Sequence, residues 1–175
     1  MSSVGLRMGT VCVVGPPGAG KTTIGRAVAS RVRAEFYSID DWVGTVYEAT
    51  SFSNPMTDMQ VDQALSLLFG AIEPTFAICE FAYHDYVSLL TDDRYPAFMN
   101  ARKVIVTADL ETCIVRNEAR RSPVPATYVE RAWHSTRALI GLCTTELGSD
   151  ALLVNTTTTS VAAAVPMTID FLEEE

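Results

Sequence analysis

Short apolar runs alternate along the chain with longer segments whose apolar residues recur at helical spacing. Such runs are typical of strands buried on both faces. The predicted strands span residues 10–14, 35–39, 75–79, 103–107 and 151–154. Strands that alternate with helices predict an α/β fold with a parallel sheet, here of five strands with helices packed on its faces.

The intervening segments predict six helices. They span residues 20–33, 57–72, 84–100, 109–121, 126–147 and 159–173, and the third is expected to break near Tyr95 and Pro96. Thr156–Ser160 is interpreted as a loop between the last strand and the last helix. No repeat or linker interrupts the pattern, so residues 1–175 are predicted to form a single domain.

The junction between the first strand and the first helix matches the phosphate-binding pattern GxxxxGK[ST]. Backbone N–H groups of such a loop converge on a β-phosphate, where the helix dipole also favours negative charge. Lys21 would reach the β- and γ-oxygens, and Thr22 would ligate Mg²⁺. The predicted nucleotide-binding residues are Gly15, Pro16, Pro17, Gly18, Ala19, Gly20, Lys21, Thr22 and Thr23 of this loop, together with Arg116 and Arg120, and the predicted cofactors are ATP and Mg²⁺.

Two aspartates, Asp40 and Asp41, come directly after the second strand, at the edge where open α/β sheets bind ligands. A carboxylate there can take the proton of an acceptor hydroxyl or hold Mg²⁺ through water. Asp40 is favoured as the base and as a second metal-binding residue. For Asp41, capping of a helix that starts at Trp42 remains an open alternative.

Arginines end the helix after the fourth strand. Arg116 and Arg120 are four residues apart and would share one helical face, from which both can close on a triphosphate. Pro123 and Pro125 then break the helix, so residues 116–127 are predicted to form a lid. Solvated surface arginines are the alternative interpretation.

Glu80 ends the third predicted strand and can hold a magnesium-bound water or the acceptor. Tyr83 and His84 can line the same pocket, together with Trp42 and Asp41, although loop aromatics often only cover a core. Residues 42–74 are expected to supply the acceptor-binding helices.

Composition limits the other possibilities. The chain has 175 residues, 48% of them hydrophobic, and a formal charge of -8. The first nine residues are too short and polar for a signal peptide, and no apolar run is long enough to span a bilayer, so a cytoplasmic protein is expected. The four cysteines lack metal-ligand spacing and are predicted to be buried thiols.

Taken together, these sequence motifs resemble those of a known protein family. Gly15–Thr22, Asp40–Asp41 and the segment from Val104 to Arg131, with its Arg-Asn-x-x-Arg run, are similar to P-loop kinases that phosphorylate hydroxyl groups. The resemblance covers residues 10–160 and is nearest to the polynucleotide kinase-like group, with chloramphenicol phosphotransferase, zeta toxin and shikimate kinase more distant. It implies a three-layer P-loop NTPase fold with sheet order 2-3-1-4-5, Asp40 as general base, and Arg116 and Arg120 as lid arginines.

The chain departs from these families on the acceptor side. The arginine that follows the paired aspartates in polynucleotide kinases is replaced by Trp42-Val43-Gly44, and the second aspartate of shikimate kinases is Ser38. The carboxylate-binding arginines of shikimate kinases are also absent.

The distribution of charged residues limits the class of acceptor molecule that the chain is expected to bind. Residues 34–93 contain eleven acids and no Lys or Arg. A neutral or cationic small molecule with a hydroxyl group is therefore favoured, and nucleic acid is disfavoured. A polynucleotide 5′-hydroxyl or toxin-type kinase, and a nucleotide-binding switch without an acceptor, remain the alternatives.

Overall fold

The computed structural model describes residues 9–39, 57, 60, 63–66, 68, 76–91, 96–145 and 151–174. Five strands are present: β1 (Thr10–Val14), β2 (Glu35–Ser38), β3 (Ala77–Phe81), β4 (Arg102–Thr107) and β5 (Ala151–Asn155). They pair in parallel in the order β2-β3-β1-β4-β5. The predicted fold class and strand order are thus confirmed.

Six helices have their bounds within the described residues. They are α1 (Lys21–Val32), α2 (Tyr86–Thr91), α3 (Pro96–Asn100), α4 (Leu110–Glu118), α5 (Ala126–Thr145) and α6 (Val161–Glu173). Residues 63–66 are also helical, within the predicted segment 57–72. None of the helices in the described part of the chain combines the length and the apolar character needed to cross a membrane.

Apolar side chains cover both faces of the sheet, which makes a three-layer structure. On one face, Val14 and Ile105 share a core with Leu65, Phe98 and Leu139 of the helical segments. On the other face, the core joins strands β1, β4 and β5 to helices α1 and α6, through Val13, Val104, Val154, Ile24 and Val165. Because both faces are covered, ligands have access to this sheet at the ends of its strands.

Some predicted boundaries differ from those in the structure. The third strand spans Ala77–Phe81 rather than 75–79, so Glu80 lies inside it, opposite Val13 of β1. The helix predicted over 109–121 ends at Glu118. The segment predicted as a helix over 84–100 with a break near Tyr95 and Pro96 contains α2 and α3, and α3 begins at Pro96, in agreement with that break. Residues 92–95 between the two helices lie outside the described part.

Candidate functional site

The predicted phosphate-binding loop joins β1 to α1, as its sequence pattern requires. Gly18 and Gly20 adopt φ angles of 81° and 94°, which favour glycine. A Cβ atom on Gly18 would lie 2.2 Å from the carbonyl oxygen of Cys113 in α4. The loop therefore packs directly against the helix that carries Arg116, and only glycine fits at this contact.

Three polar side chains meet beside this loop. The Nζ of Lys21 lies 3.5 Å from Oε1 of Glu80 and donates a hydrogen bond of 3.0 Å to the carbonyl oxygen of Pro16. The hydroxyl of Thr22 donates to Oε2 of the same glutamate at 3.2 Å. Lys21 and Glu80 are each 5% exposed. The register of β3 against β1 thus brings Glu80 to the two residues predicted to act on ATP and Mg²⁺.

The oxygen atoms at this point suit a hard cation. The Thr22 hydroxyl and the Glu80 carboxylate are ligand types that Mg²⁺ prefers, and both lie beside a loop shaped for phosphate. A magnesium ion held here would offset negative charge on bound phosphates. Asp40, the other predicted metal-binding residue, lies outside the described residues.

Tyr86 supports the first residue of the loop. Its phenol oxygen accepts hydrogen bonds from the backbone nitrogens of Gly15 (2.9 Å) and Tyr83 (3.1 Å), and the carbonyl oxygens of Phe81 and Gly15 lie 3.0 and 3.2 Å away. The side chain is fully buried, and burial raises the pKa of its phenol well above the usual value. This buried phenol therefore stabilises the start of the phosphate-binding loop from within the core.

Arg116 is exposed on α4 and reaches across to the loop after β5. Its Nη1 donates to the hydroxyl of Thr156 at 2.9 Å, and its Nη2 donates to the carbonyl oxygen of Thr156 at 3.3 Å. Arg120 lies beyond the end of α4, in a turn where its backbone nitrogen donates to the carbonyl oxygen of Asn117. The two arginines therefore do not share one helical face as predicted, because the helix stops before the second.

A buried asparagine closes the predicted lid. The Nδ2 of Asn117 donates to the carbonyl oxygen of Val124 at 2.8 Å, and the backbone nitrogen of Val124 donates to Oδ1 of Asn117 at 3.3 Å. These reciprocal bonds hold together the two ends of the segment between α4 and α5. The Arg-Asn-x-x-Arg run was interpreted through its arginines, but its asparagine also makes a structural contact, within the predicted lid.

The structure describes some of the residues predicted to line the acceptor pocket and their neighbours. Tyr83 is buried, 7% exposed, with its ring centroid 4.5 Å from that of the partly exposed His84. Asp85 accepts hydrogen bonds from the backbone and hydroxyl of Ser88, which lower the pKa of its carboxyl, so it caps α2. Asp40, Asp41 and Trp42 lie outside the described residues, which stop at Ile39 on this side.

The residues of the phosphate-binding loop differ in their exposure to solvent. Pro16, Pro17 and Ala19 are buried, Gly18, Gly20 and Thr22 are partly exposed, and Thr23 is exposed.

All four cysteines are buried free thiols, as predicted. Within the described ranges, no cluster of His, Cys, Asp and Glu side chains is arranged to hold a metal ion.

A family profile described as AAA domain matches residues 11–131, more than half of the chain. The chain belongs to the AAA domain family. The matched range of this AAA domain contains the phosphate-binding loop, Glu80 and both lid arginines. No curated protein matches the chain by sequence.

Solved structures that resemble this AAA domain include several kinases. A sugar kinase from Janibacter sp. HTCC2649 is 17% identical, with a TM-score of 0.68 and 95% of each chain covered. A shikimate kinase from Acinetobacter baumannii, in complex with shikimate, is 19% identical, with a TM-score of 0.54 and coverage of 96% of this chain and 93% of that one. A deoxyadenosine kinase from M. mycoides with bound products dCMP and dCDP is 13% identical, with a TM-score of 0.62 and coverage of 93% and 97%. The fold is therefore that of the P-loop kinase group, as the sequence resemblance predicted.

Proposed function

We propose that this chain transfers the γ-phosphoryl group of ATP to a hydroxyl group of a small neutral or cationic molecule. The observation that carries the proposal is the convergence of Lys21, Thr22 and Glu80 beside a glycine-shaped phosphate loop. The structural likeness to sugar, shikimate and deoxyadenosine kinases supports small-molecule transfer over other uses of the loop.

Transfer needs the triphosphate to be held in one position while its charge is neutralised. Lys21 now contacts Glu80 and the Pro16 carbonyl, from which its ammonium group can turn to phosphate oxygens. Backbone N–H groups at the start of α1 provide further donors. These groups bind the nucleotide and orient its terminal phosphorus toward the acceptor.

The chemical step forms one bond and breaks another. The acceptor oxygen bonds to the γ-phosphorus, while the bond from that phosphorus to the oxygen bridging the β- and γ-phosphates breaks, and its electron pair leaves with ADP. The acceptor's proton passes to a carboxylate acting as general base. Glu80 already bonds to Lys21 and Thr22, which favours a different carboxylate for this role.

Asp40 is the proposed base. β2 ends at Ser38, two residues before Asp40, and Ser38 pairs with Glu80, the carboxylate that contacts Lys21 and Thr22. A carboxylate that follows this strand is close in sequence to the edge where the acceptor must bind. Arg116 and Arg120, on the other side of the loop, are proposed to bind the phosphates of ATP and to stabilise the charge that develops during transfer.

The acceptor's charge follows from the acid-rich segment. Between residues 34 and 93, eleven acids occur without any Lys or Arg. An anionic acceptor bound among them would lose its hydration without a compensating cation. Sugars, amino sugars, nucleosides and other neutral or amine-bearing alcohols are therefore the proposed substrates.

The test is an acceptor screen with purified protein, ATP and Mg²⁺. The expected result is a compound that gains one phosphate while ADP forms in equal amount, with no gain for the Lys21→Ala variant. ADP formation that no acceptor increases would instead favour a nucleotide-dependent switch. Phosphorylation of 5′-hydroxyl oligonucleotides in preference to small alcohols would favour a polynucleotide kinase.

A further inference from the structure

Thr156, the first residue after β5, links three parts of the structure. Its backbone nitrogen donates to the carbonyl oxygen of Thr107 at 2.8 Å, which continues the pairing of β5 with β4. Its hydroxyl lies 2.8 Å from the carbonyl oxygen of Ala19 and 3.3 Å from that of Thr107. Its hydroxyl and carbonyl oxygens both accept from Arg116.

The hydroxyl has one proton, and this fixes the direction of the bonds. Because Arg116 can only donate, the Thr156 oxygen must accept from it, and the proton must point to a carbonyl. The carbonyl of Ala19 is the nearer of the two. The hydrogen bonds therefore run from Arg116 through Thr156 to the phosphate loop.

This path joins elements that are far apart in sequence. Ala19 precedes Gly20, the N-cap residue of α1, so its carbonyl belongs to the turn that presents the loop's N–H groups. Arg116 is an exposed, long side chain that would otherwise sample many rotamers. Two hydrogen bonds to one residue, which is itself bonded to the loop, restrict the guanidinium before any nucleotide binds.

We propose that Thr156 is a positioning residue that sets the guanidinium of Arg116 relative to the phosphate loop. The inference rests on the proposed action of Arg116 on the nucleotide. Preorganising a flexible cation lowers the entropy lost when the ligand binds. Loss of the hydroxyl should therefore weaken ATP binding through Arg116, even though Thr156 is not itself required to touch ATP.

The experiment measures ATP affinity by calorimetry, which requires no knowledge of the acceptor. Thr156→Val removes the hydroxyl but keeps the shape of the side chain, and Thr156→Ser keeps the hydroxyl. Thr158→Val is the matched control, because the hydroxyl of Thr158 lies in the same loop and bonds to the carbonyl of Asn155. Thr156→Ala gives the same test with a smaller side chain if the valine variant does not fold.

We expect Thr156→Val to weaken ATP binding about tenfold, as the loss of a charge-assisted hydrogen bond predicts. Thr156→Ser should stay within about twofold of wild type, and Thr158→Val should be unchanged. In an Arg116→Ala background, Thr156→Val should have an effect of less than about twofold, since the cation it positions is gone.

Two outcomes would overturn the inference. One is an equal loss of affinity from Thr156→Val with and without Arg116, which would mean that the hydroxyl acts only on Ala19. The other is unchanged ATP affinity in Arg116→Ala. If the wild-type protein binds ATP but phosphorylates no acceptor, the proposed function is contradicted. The ATP affinities of the variants still test the role of Thr156 in that case.

Discussion

The phenol oxygen of Tyr86 lies 2.9 Å from the backbone nitrogen of Gly15, 71 positions earlier in the chain. Gly15 is the first residue after β1, and Tyr86 is the first residue of α2. The phenol also accepts from the backbone nitrogen of Tyr83. One buried hydroxyl thus satisfies two backbone donors and fixes the point where the phosphate loop leaves the sheet.

Tyr86→Phe should therefore destabilise the protein and weaken ATP binding. The ring still fits, but the N–H groups of Gly15 and Tyr83 lose their partner, at a cost of about 1–3 kcal/mol in the free energy of unfolding. Urea denaturation and ATP titration measure the two effects. Tyr37→Phe, which removes a phenol bonded to the exposed Glu35, is the control and should change neither by much. Wild-type stability in Tyr86→Phe would mean that water replaces the phenol.

Because Lys21 is buried, its removal should affect the stability of the fold as well as phosphoryl transfer. The side chain is only 5% exposed, and its ammonium group is paired with the buried carboxylate of Glu80. Lys21→Ala should abolish transfer and also lower the free energy of unfolding by about 3 kcal/mol, because a buried carboxylate loses its counter-charge.

The double variant Lys21→Ala/Glu80→Gln separates the two roles of the lysine. Neutralising Glu80 removes the uncompensated charge, so stability should recover in part, while transfer should remain absent. Urea denaturation and the acceptor assay measure these outcomes. Recovery of transfer in the double variant would show that Lys21 acts only by neutralising Glu80.

The sequence predicted the sheet and the phosphate loop because both depend on local patterns. Apolar runs mark buried strands, and GxxxxGK[ST] between a strand and a helix has few other uses. The contacts made by Tyr86, Asn117 and Thr156 depend on segments that only the fold brings together. A tyrosine at the start of a helix or a threonine in a Thr-rich turn carries no local signal of its partner.

The predicted third strand was wrong by two residues for the same reason, since its bounds depend on tertiary contacts. Thr75-Phe76 is apolar enough to begin a strand, but β3 starts at Ala77 because its register is set by pairing with β1 and β2. Likewise, helical periodicity continues past Glu118, yet the reciprocal bonds between Asn117 and Val124 accompany the end of α4. Tertiary contacts decide such boundaries where propensity does not.

Within the aspartate pair, Asp40→Asn should lower turnover by about 10²-fold or more with little change in ATP affinity. The amide cannot take a proton, while the phosphate loop is untouched. Asp41→Asn is the matched comparison, with a smaller expected effect. Steady-state turnover together with ATP titration distinguishes the two variants. The reverse order of effects would assign the base to Asp41.

The buried thiols predict a pH dependence of stability. Burial raises the pKa of Cys12 to about 12 and also raises the pKa of Cys79, Cys113 and Cys143. Since the folded pKa exceeds the unfolded value of about 8.5, this stability is fully present below that value and is lost as pH rises above it.

Cys12→Ala isolates one thiol. In urea denaturation between about pH 8.5 and 9.5, the decline in unfolding free energy should become shallower by about 1 kcal/mol per pH unit. Val11→Ala, a comparable truncation of a buried residue in β1, should lower stability without changing the pH slope. Equal slopes in wild type and Cys12→Ala would mean that this thiol ionises in the folded state.

The charge of the acceptor is the most discriminating prediction for function. With eleven acids and no Lys or Arg between residues 34 and 93, the proposed acceptor segment repels anions and offers them no cation of its own. Arg94, Arg102 and the lid arginines lie outside that segment. In the described structure, Arg102 stacks over the ring of Phe171 at 4.3 Å, at the opposite end of β4 from the phosphate loop.

Competition assays test this prediction directly. Amino sugars, nucleosides and other uncharged or cationic alcohols compete against nucleoside monophosphates, hydroxy acids and 5′-hydroxyl oligonucleotides for the same limiting ATP. We expect phosphate to appear on the first group, with kcat/KM at least about tenfold higher than for any anionic compound, since a missing counter-charge costs more than about 1.4 kcal/mol. Repeating the assay at about 0.5 M salt screens long-range attraction and repulsion, so a preference that persists there comes from contacts within the site. Efficient phosphorylation of an anionic acceptor at high salt would contradict the prediction, because it would require a cation from outside the acid-rich segment to complete the acceptor site.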